Sequence, residues 1–330
     1  MSSNHDIAVR FAKEAGNPNP RLLLNQRGNV YVNPYDHREL LSYGSHFVLA
    51  RIMLDENGDR AWWLLNGDRY SHSTSRHQSD IRGAAQRTGL PVIILPFTAL
   101  REAKIMQDTI QLQEVLPDRW ESTWHTVPTR DDIPGYPYDM RERPDGQWEY
   151  ETRAHRLGAS VFRATYRTGW TPGKYDGEWT EASFLSAFDT QESTPLYFLA
   201  QLPGHPKTVA RAFEALKPRA VRNADKSSGE YVRQGDVFAV ATERSTREIT
   251  RGGKLPIAKR ALVLGVSHTA SEVVVAGGKT YGRGILRHEP GRWRESEHKR
   301  VKMGDSKTWH LIVKNTVPPD RSWSMGGNVD

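Results

Sequence analysis

Residues 261–315 read ALVLGVSHTASEVVVAGGKTYGRGILRHEPGRWRESEHKRVKMGDSKTWHLIVKN. Short β-branched and aromatic runs broken by turn residues predict four or five short strands, since a strand buries alternate side chains and wets the others. Gly277-Gly278, between SEVVVA and KTYGRGIL, supplies the positive φ angles that a two-residue hairpin demands. These strands gather His268, His288, His298 and His310, the tryptophans Trp293 and Trp309, and a dense set of arginines and lysines into one module. The fold expected from this stretch is α+β and β-rich, with a mixed α/β N-terminal part and a C-terminal antiparallel β domain, barrel or sandwich.

Upstream of the module, Val237 to Ala241 reads as a strand and Glu243 to Leu255 as a charged loop. Thr208 to Leu216 reads as a helix capped by Thr208 and stopped at Lys217-Pro218. Further back, Phe184 to Phe188 and Leu196 to Leu202 predict one strand pair, and Trp148 to Tyr166 one or two strands. Asp118 to Gly146 holds four prolines and many acids and reads as a long surface loop or linker. In the N-terminal part, Asp6 to Ala15 predicts an amphipathic helix, and short strands are expected at Arg21 to Leu24 and Val30 to Val32. A hairpin follows from His46 to Leu65 around Asn57-Gly58. A helix capped by Ser73 or Ser75 then runs to about Arg87 before a buried strand at Val92 to Leu95. The expected organisation is an α+β domain over 1–128, an acidic Pro-rich linker or loop over 129–147, a β-rich connecting segment over 148–204, and a basic β domain over 205–330.

The 330 residues contain no cysteine, which excludes disulfides, thiolate metal sites, iron–sulfur clusters and a cysteine nucleophile. No apolar run approaches the length of a membrane helix, so a cytoplasmic protein with no membrane partner is expected. From His205 onward 24 Lys and Arg face 13 Asp and Glu, a net of +11, whereas residues 1–204 carry 22 against 26, a net of −4. Such asymmetry points to a polyanionic partner for the C-terminal part, because concentrated cations attract phosphate backbones and release their counterions. A solvated basic surface is the plain alternative.

Three kinds of chemistry are compatible with the module. Paired imidazoles can serve as base and acid in phosphodiester cleavage; here His268 and His288 are the expected pair, with Arg287 stabilising the developing charge. Histidines that merely complete a surface or core are the alternative. Secondly, three or four of His268, His288, His298 and His310 could enclose a zinc or a non-haem iron, although their intervals match no compact ligand motif. Paired acids such as Asp131-Asp132 could also ligate a divalent ion, so that Zn²⁺, Mn²⁺ or Mg²⁺ is an optional cofactor. Thirdly, Arg283, Arg292, Trp293, Arg294, Lys299, Arg300 and Lys302 combine phosphate-neutralising cations with a flat ring able to stack on unpaired bases. Alternation in TWHLIVKN assigns Trp309 to packing. Trp293, between two arginines, is the stacking candidate.

A faint internal echo adds a second candidate cluster, His46, Tyr70, His72, Arg76 and His77. Tyr70 stands six residues before Arg76 and seven before His77, as Tyr281 does before Arg287 and His288. The intervals from His46 to Tyr70 and from His268 to Tyr281 differ, and among twelve histidines chance is the better explanation of the likeness. The function expected from the sequence is nucleic-acid binding, with RNA or single-stranded DNA favoured and with histidine-driven cleavage as its sharper form. No cofactor is required for that form. The alternative is a non-catalytic architectural or phage-type structural or interaction protein.

Overall fold

A computed structural model describes residues 3–16, 29–44, 47–68, 71–133, 139–168, 177–190, 195–264, 267–289, 299–317 and 322–324. Helix α1 (Asn4–Glu14) opens the chain on a capping box between Ser3 and Asp6. The first sheet has the spatial order β1 (Val30–Val32), β2 (Glu39–Ser42), β3 (Val48–Leu54), β4 (Arg60–Asn66) and β5 (Val92–Leu95). The β3–β4 turn is the expected one: the Asp55 N–H donates to the Asp59 carbonyl at 2.8 Å, and Gly58 takes φ 82°. Helix α2 (His72–Gln86) crosses from β4 to a parallel β5, giving the small α/β unit expected there. Its cap is Ser71 in place of Ser73 or Ser75, with the Ser71 hydroxyl accepting from the Thr74 N–H. Phe11 and Ile7 of α1 and Ile81 of α2 cover Leu40, Leu49, Ile52 and Trp63 on one sheet face. Each large side chain buried this way contributes about 1.5–3 kcal/mol.

The opposite face of this sheet meets a second one. After helix α3 (Phe97–Glu102) come β6 (Gln111–Leu116), β7 (Arg119–Val127), β8 (Met140–Glu142), β9 (Trp148–Arg156), β10 (Ala159–Arg167), β11 (Trp179–Asp189) and β12 (Leu196–Gln201). Strands β12, β11, β10 and β6 lie side by side, and Phe162, Phe184 and Leu199 pack against Trp62, Leu64 and Ile93 of the first sheet. Strands β7 and β9 prolong the β6–β10 ribbon outward in register from Arg119↔Arg156 to Val127↔Trp148, with β8 on the far side of β9. No residue of these three strands is buried. The loop expected over 118–146 is therefore largely a projecting antiparallel arm. Strand β9 falls within the stretch Trp148 to Tyr166 already expected to be extended, whereas surrounding prolines and acids hid β7 and β8, whose tryptophans, threonines and valine favour extended backbone.

The remaining chain forms α4 (Val209–Leu216), α5 (Arg219–Lys226), β13 (Tyr231–Gln234), β14 (Val237–Ala241), α6 (Thr246–Ile249), β15 (Ala258–Leu262), β16 (His268–Ala276), β17 (Lys279–His288), β18 (Val301–Met303) and β19 (His310–Lys314). Finally β20 (Ser322–Ser324) returns to pair with β12. Helix α4 covers the outer face of the second sheet through Val209 and Ala212. The loop expected over Glu243–Leu255 contains α6, started by a Ser245–Glu248 capping box. The C-terminal sheet runs β13-β14-β19-β17-β16-β15, with β18 on the distal half of β17. It is antiparallel, as expected, and does not close into a barrel. Its hairpin turns at Gly277 and Gly278, whose φ angles are 58° and 72°. One face packs Val237, Ala270, Leu286 and Ile312 into a core; the other is covered by α5 over Phe238 and Val240 and by α6 over Tyr281 and Trp309. Both the fold class and the β-rich character match the expectation.

Candidate nucleic-acid interface

His268 and His288 are brought together, as direct partners across β16 and β17 with ring centroids 4.7 Å apart at 34°. Two-residue alternation puts them on the face of Ala270 and Leu286, which is the core face, and their exposures are 2% and 5%. The Ser267 hydroxyl lies 3.3 Å from the His268 Nδ1. Arg287, adjacent to His288, points to the other face, where its Nη1 donates to the Ser271 hydroxyl at 3.4 Å. Strand geometry thus joins the two imidazoles and separates them from the guanidinium.

The outward face of β15 to β18 holds Arg283 and Lys302, two of the four candidate phosphate ligands that are described. Arg283, Ile285 and Arg287 succeed one another there, and Lys302 on β18 stands directly opposite Ile285. A bulge opposite Ser271 sets this arrangement. Gly284 adopts φ 90°, and a Cβ on it would stand 2.7 Å from that of Ser271. Arg283 binds Glu272 and lies 4.6 Å over the Trp309 ring, which donates its Nε1–H to the Thr246 hydroxyl at 3.0 Å. Trp309 is 1% exposed, so its role is packing, as the alternation predicted.

Two carboxylates temper the charge of this face. Glu272 is held below its usual pKa by Lys259 and Arg283, and Glu289 by Arg260, whose Nη2 donates to it at 2.7 Å. Among the described residues, Arg287, Arg300 and Lys302 have no ion pair; Arg300 and Lys302 are exposed and Arg287 is half-buried. Lys299 is exposed, and its carbonyl accepts from the Gln234 Nε2 at 2.6 Å. Of the described cations after residue 204, only Arg233 pairs with a described carboxylate from residues 1–204, Asp189. Arg292, Trp293, Arg294 and His298 lie outside the described residues.

His310 is buried on β19 opposite Gly282, six residues along β17 from His288, and its Nδ1 lies 3.1 Å from the Thr308 carbonyl. Burial holds its pKa below the ordinary histidine value. No group of three or more His, Asp or Glu side chains placed to hold a metal occurs among the described residues.

In the N-terminal cluster, His46 and Tyr70 lie outside the described residues, while His72 and Arg76 are exposed on α2. His77 is buried: its Nδ1 lies 2.9 Å from the Ser42 hydroxyl, its Nε2 lies 2.9 Å from the Asn4 amide nitrogen, and Tyr43 stacks on the ring at 5.4 Å. Asn4, Ser42 and Tyr43 were not among the candidates; the turn residues Tyr43-Gly44, both with positive φ, were the available signal. His77 stands on a helix and His288 on a strand, so the sequence echo has no structural counterpart there.

Among the described residues no helix is long and apolar enough to cross a membrane. The chain matches no family model, no curated protein and no solved structure.

Proposed function

We propose that the chain binds RNA or single-stranded DNA by laying the phosphate backbone along the outward face of the C-terminal sheet. The observation that carries this reading is the set Arg287, Arg300 and Lys302, cations without an ion pair among the described residues on and beside one strand pair. Arg283 and Arg260 flank them, but their carboxylate partners leave less charge for a ligand. The Arg292-Trp293-Arg294 run enters the reading from its composition as cations with a stacking ring. Cleavage is left out, because an acid–base pair must reach the scissile phosphate and both imidazoles are turned into the core, away from Arg287. Binding of this kind needs no metal.

Heparin chromatography of the full chain and of Arg287→Gln/Lys302→Gln tests the reading. Earlier elution of the variant in a salt gradient supports it, and identical elution refutes it. A second reading, an interaction protein that assembles through the arm, is favoured by one observation: β7, β8 and β9 bury no residue and expose Trp120, Trp124 and Met140.

A further inference from the structure

Helices α4 and α5 and the turn at Pro203–Pro206 border an open cleft remote in sequence from the sheet face just described. Its walls carry His205, Arg211, Arg222 and Lys226, together with Glu214 and Asp225. Both carboxylates are already engaged. Lys217 Nζ lies 2.6 Å from Glu214 and 2.8 Å from Asp225, and this pairing holds Asp225 below its usual pKa. Arg211, Arg222 and Lys226 are exposed and have no ion pair among the described residues.

Helix α5 carries an electrostatic conflict at its start. Arg219 and Arg222 stand in its first turn, where the helix dipole disfavours cations, and no acid accompanies them there. Arg222 and Lys226 are four residues apart, a spacing at which like charges on one helix face repel. An anion seated between these side chains relieves both conflicts. His205 stands beside them, with its Nδ1 3.1 Å from the Ser183 hydroxyl and its Nε2 without a hydrogen-bond partner among the described residues. We propose that this cleft is a binding site for a phosphate group, held by Arg211, Arg222 and Lys226 with His205 beside them.

Phosphate fits the donor set because guanidinium groups present paired N–H donors to its oxygens and an ammonium adds a point charge. The group can arrive on a small phosphorylated molecule or on the end of a nucleic acid. Calorimetric titration of the full chain with pyrophosphate is the test. Saturable binding is expected for the wild type and for Arg287→Gln, with affinity about tenfold or more weaker in Arg222→Gln/Lys226→Gln. The ligand-free double variant is expected to melt within a few degrees of the wild type, because the repulsion it removes and the favourable last-turn charge of Lys226 that it also removes offset each other. If that variant misfolds, Arg211→Gln on the other helix takes its place.

No saturable heat with the wild type, or unchanged affinity in a folded cleft variant, overturns the site. Oligonucleotides with a 5′-phosphate and a 5′-hydroxyl then separate the sources. Preference for the phosphorylated end, lost in the cleft variant, identifies a terminal phosphate; equal binding of the two, with pyrophosphate retained, identifies a small ligand. Because Arg287→Gln lies outside the cleft, loss of binding at the sheet face and loss of binding here are read separately.

Discussion

His77 joins helix α1 to the first sheet through Asn4 and Ser42, and burial lowers its pKa below the ordinary histidine value. The folded state therefore prefers the neutral ring. Its contribution is complete above the unfolded pKa of about 6.5 and is lost as pH falls from there through the lower folded value. His310, also buried with a lowered pKa, acts in the same direction. Thermal melts between pH 7.5 and 5 are expected to show falling stability, with a shallower fall in His77→Gln; an identical slope in that variant contradicts the role given to the ring. Gly284 offers a second residue-scale test. Its φ of 90° and its approach to Ser271 leave no room for a side chain, so Gly284→Ala is expected to cost about 1–3 kcal/mol in denaturant unfolding. A cost below about 0.5 kcal/mol would mean that the bulge is not what sets the register.

Elements with strong local signals were legible in the sequence, and those with mixed signals were not. Asn57-Gly58 and Gly277-Gly278 located two hairpins because only a few residue types tolerate the φ angles of tight turns. Of the arm, β9 was legible through the alternation that begins at Trp148, whereas β7 and β8 were read as loop because prolines and acids crowd the segment between Asp118 and Gly146. Cross-strand contacts replace a core there: Trp120 stacks on His155 at 4.8 Å, His125 on Tyr150 at 4.9 Å, and Arg141 lies 4.2 Å over Trp124. Since no residue of its three strands is buried, joining Asp118 to Leu157 through Gly-Gly in place of residues 119–156 is expected to leave the melting temperature within a few degrees of the full chain. If the protein assembles through the arm, light scattering will show a smaller species for this variant. An unchanged mass removes the assembly reading, and a large loss of stability shows that the arm is integral to the core.

Across the whole molecule, helices α1 and α2, the first sheet, the second sheet and α4 stack as successive layers, and the C-terminal sheet carries its own core. Composition revealed the charge asymmetry at once but not its distribution over surfaces, because a strand sends neighbouring residues to opposite faces. That is why His288 and Arg287 were read as one site and are found on two. It is also why the cations of α5, scattered among Ala and Asn in the sequence, drew no notice until a second helix stood beside them. The central claim is that Arg287, Arg300 and Lys302 act together on a phosphate backbone. Fluorescence anisotropy of a labelled single-stranded oligonucleotide across a salt series tests it most directly. Three engaged phosphates predict a slope of log K against log salt of about −2, falling to about −0.7 in Arg287→Gln/Lys302→Gln. Wild-type binding that is absent, or a slope equal in the two proteins, contradicts the claim.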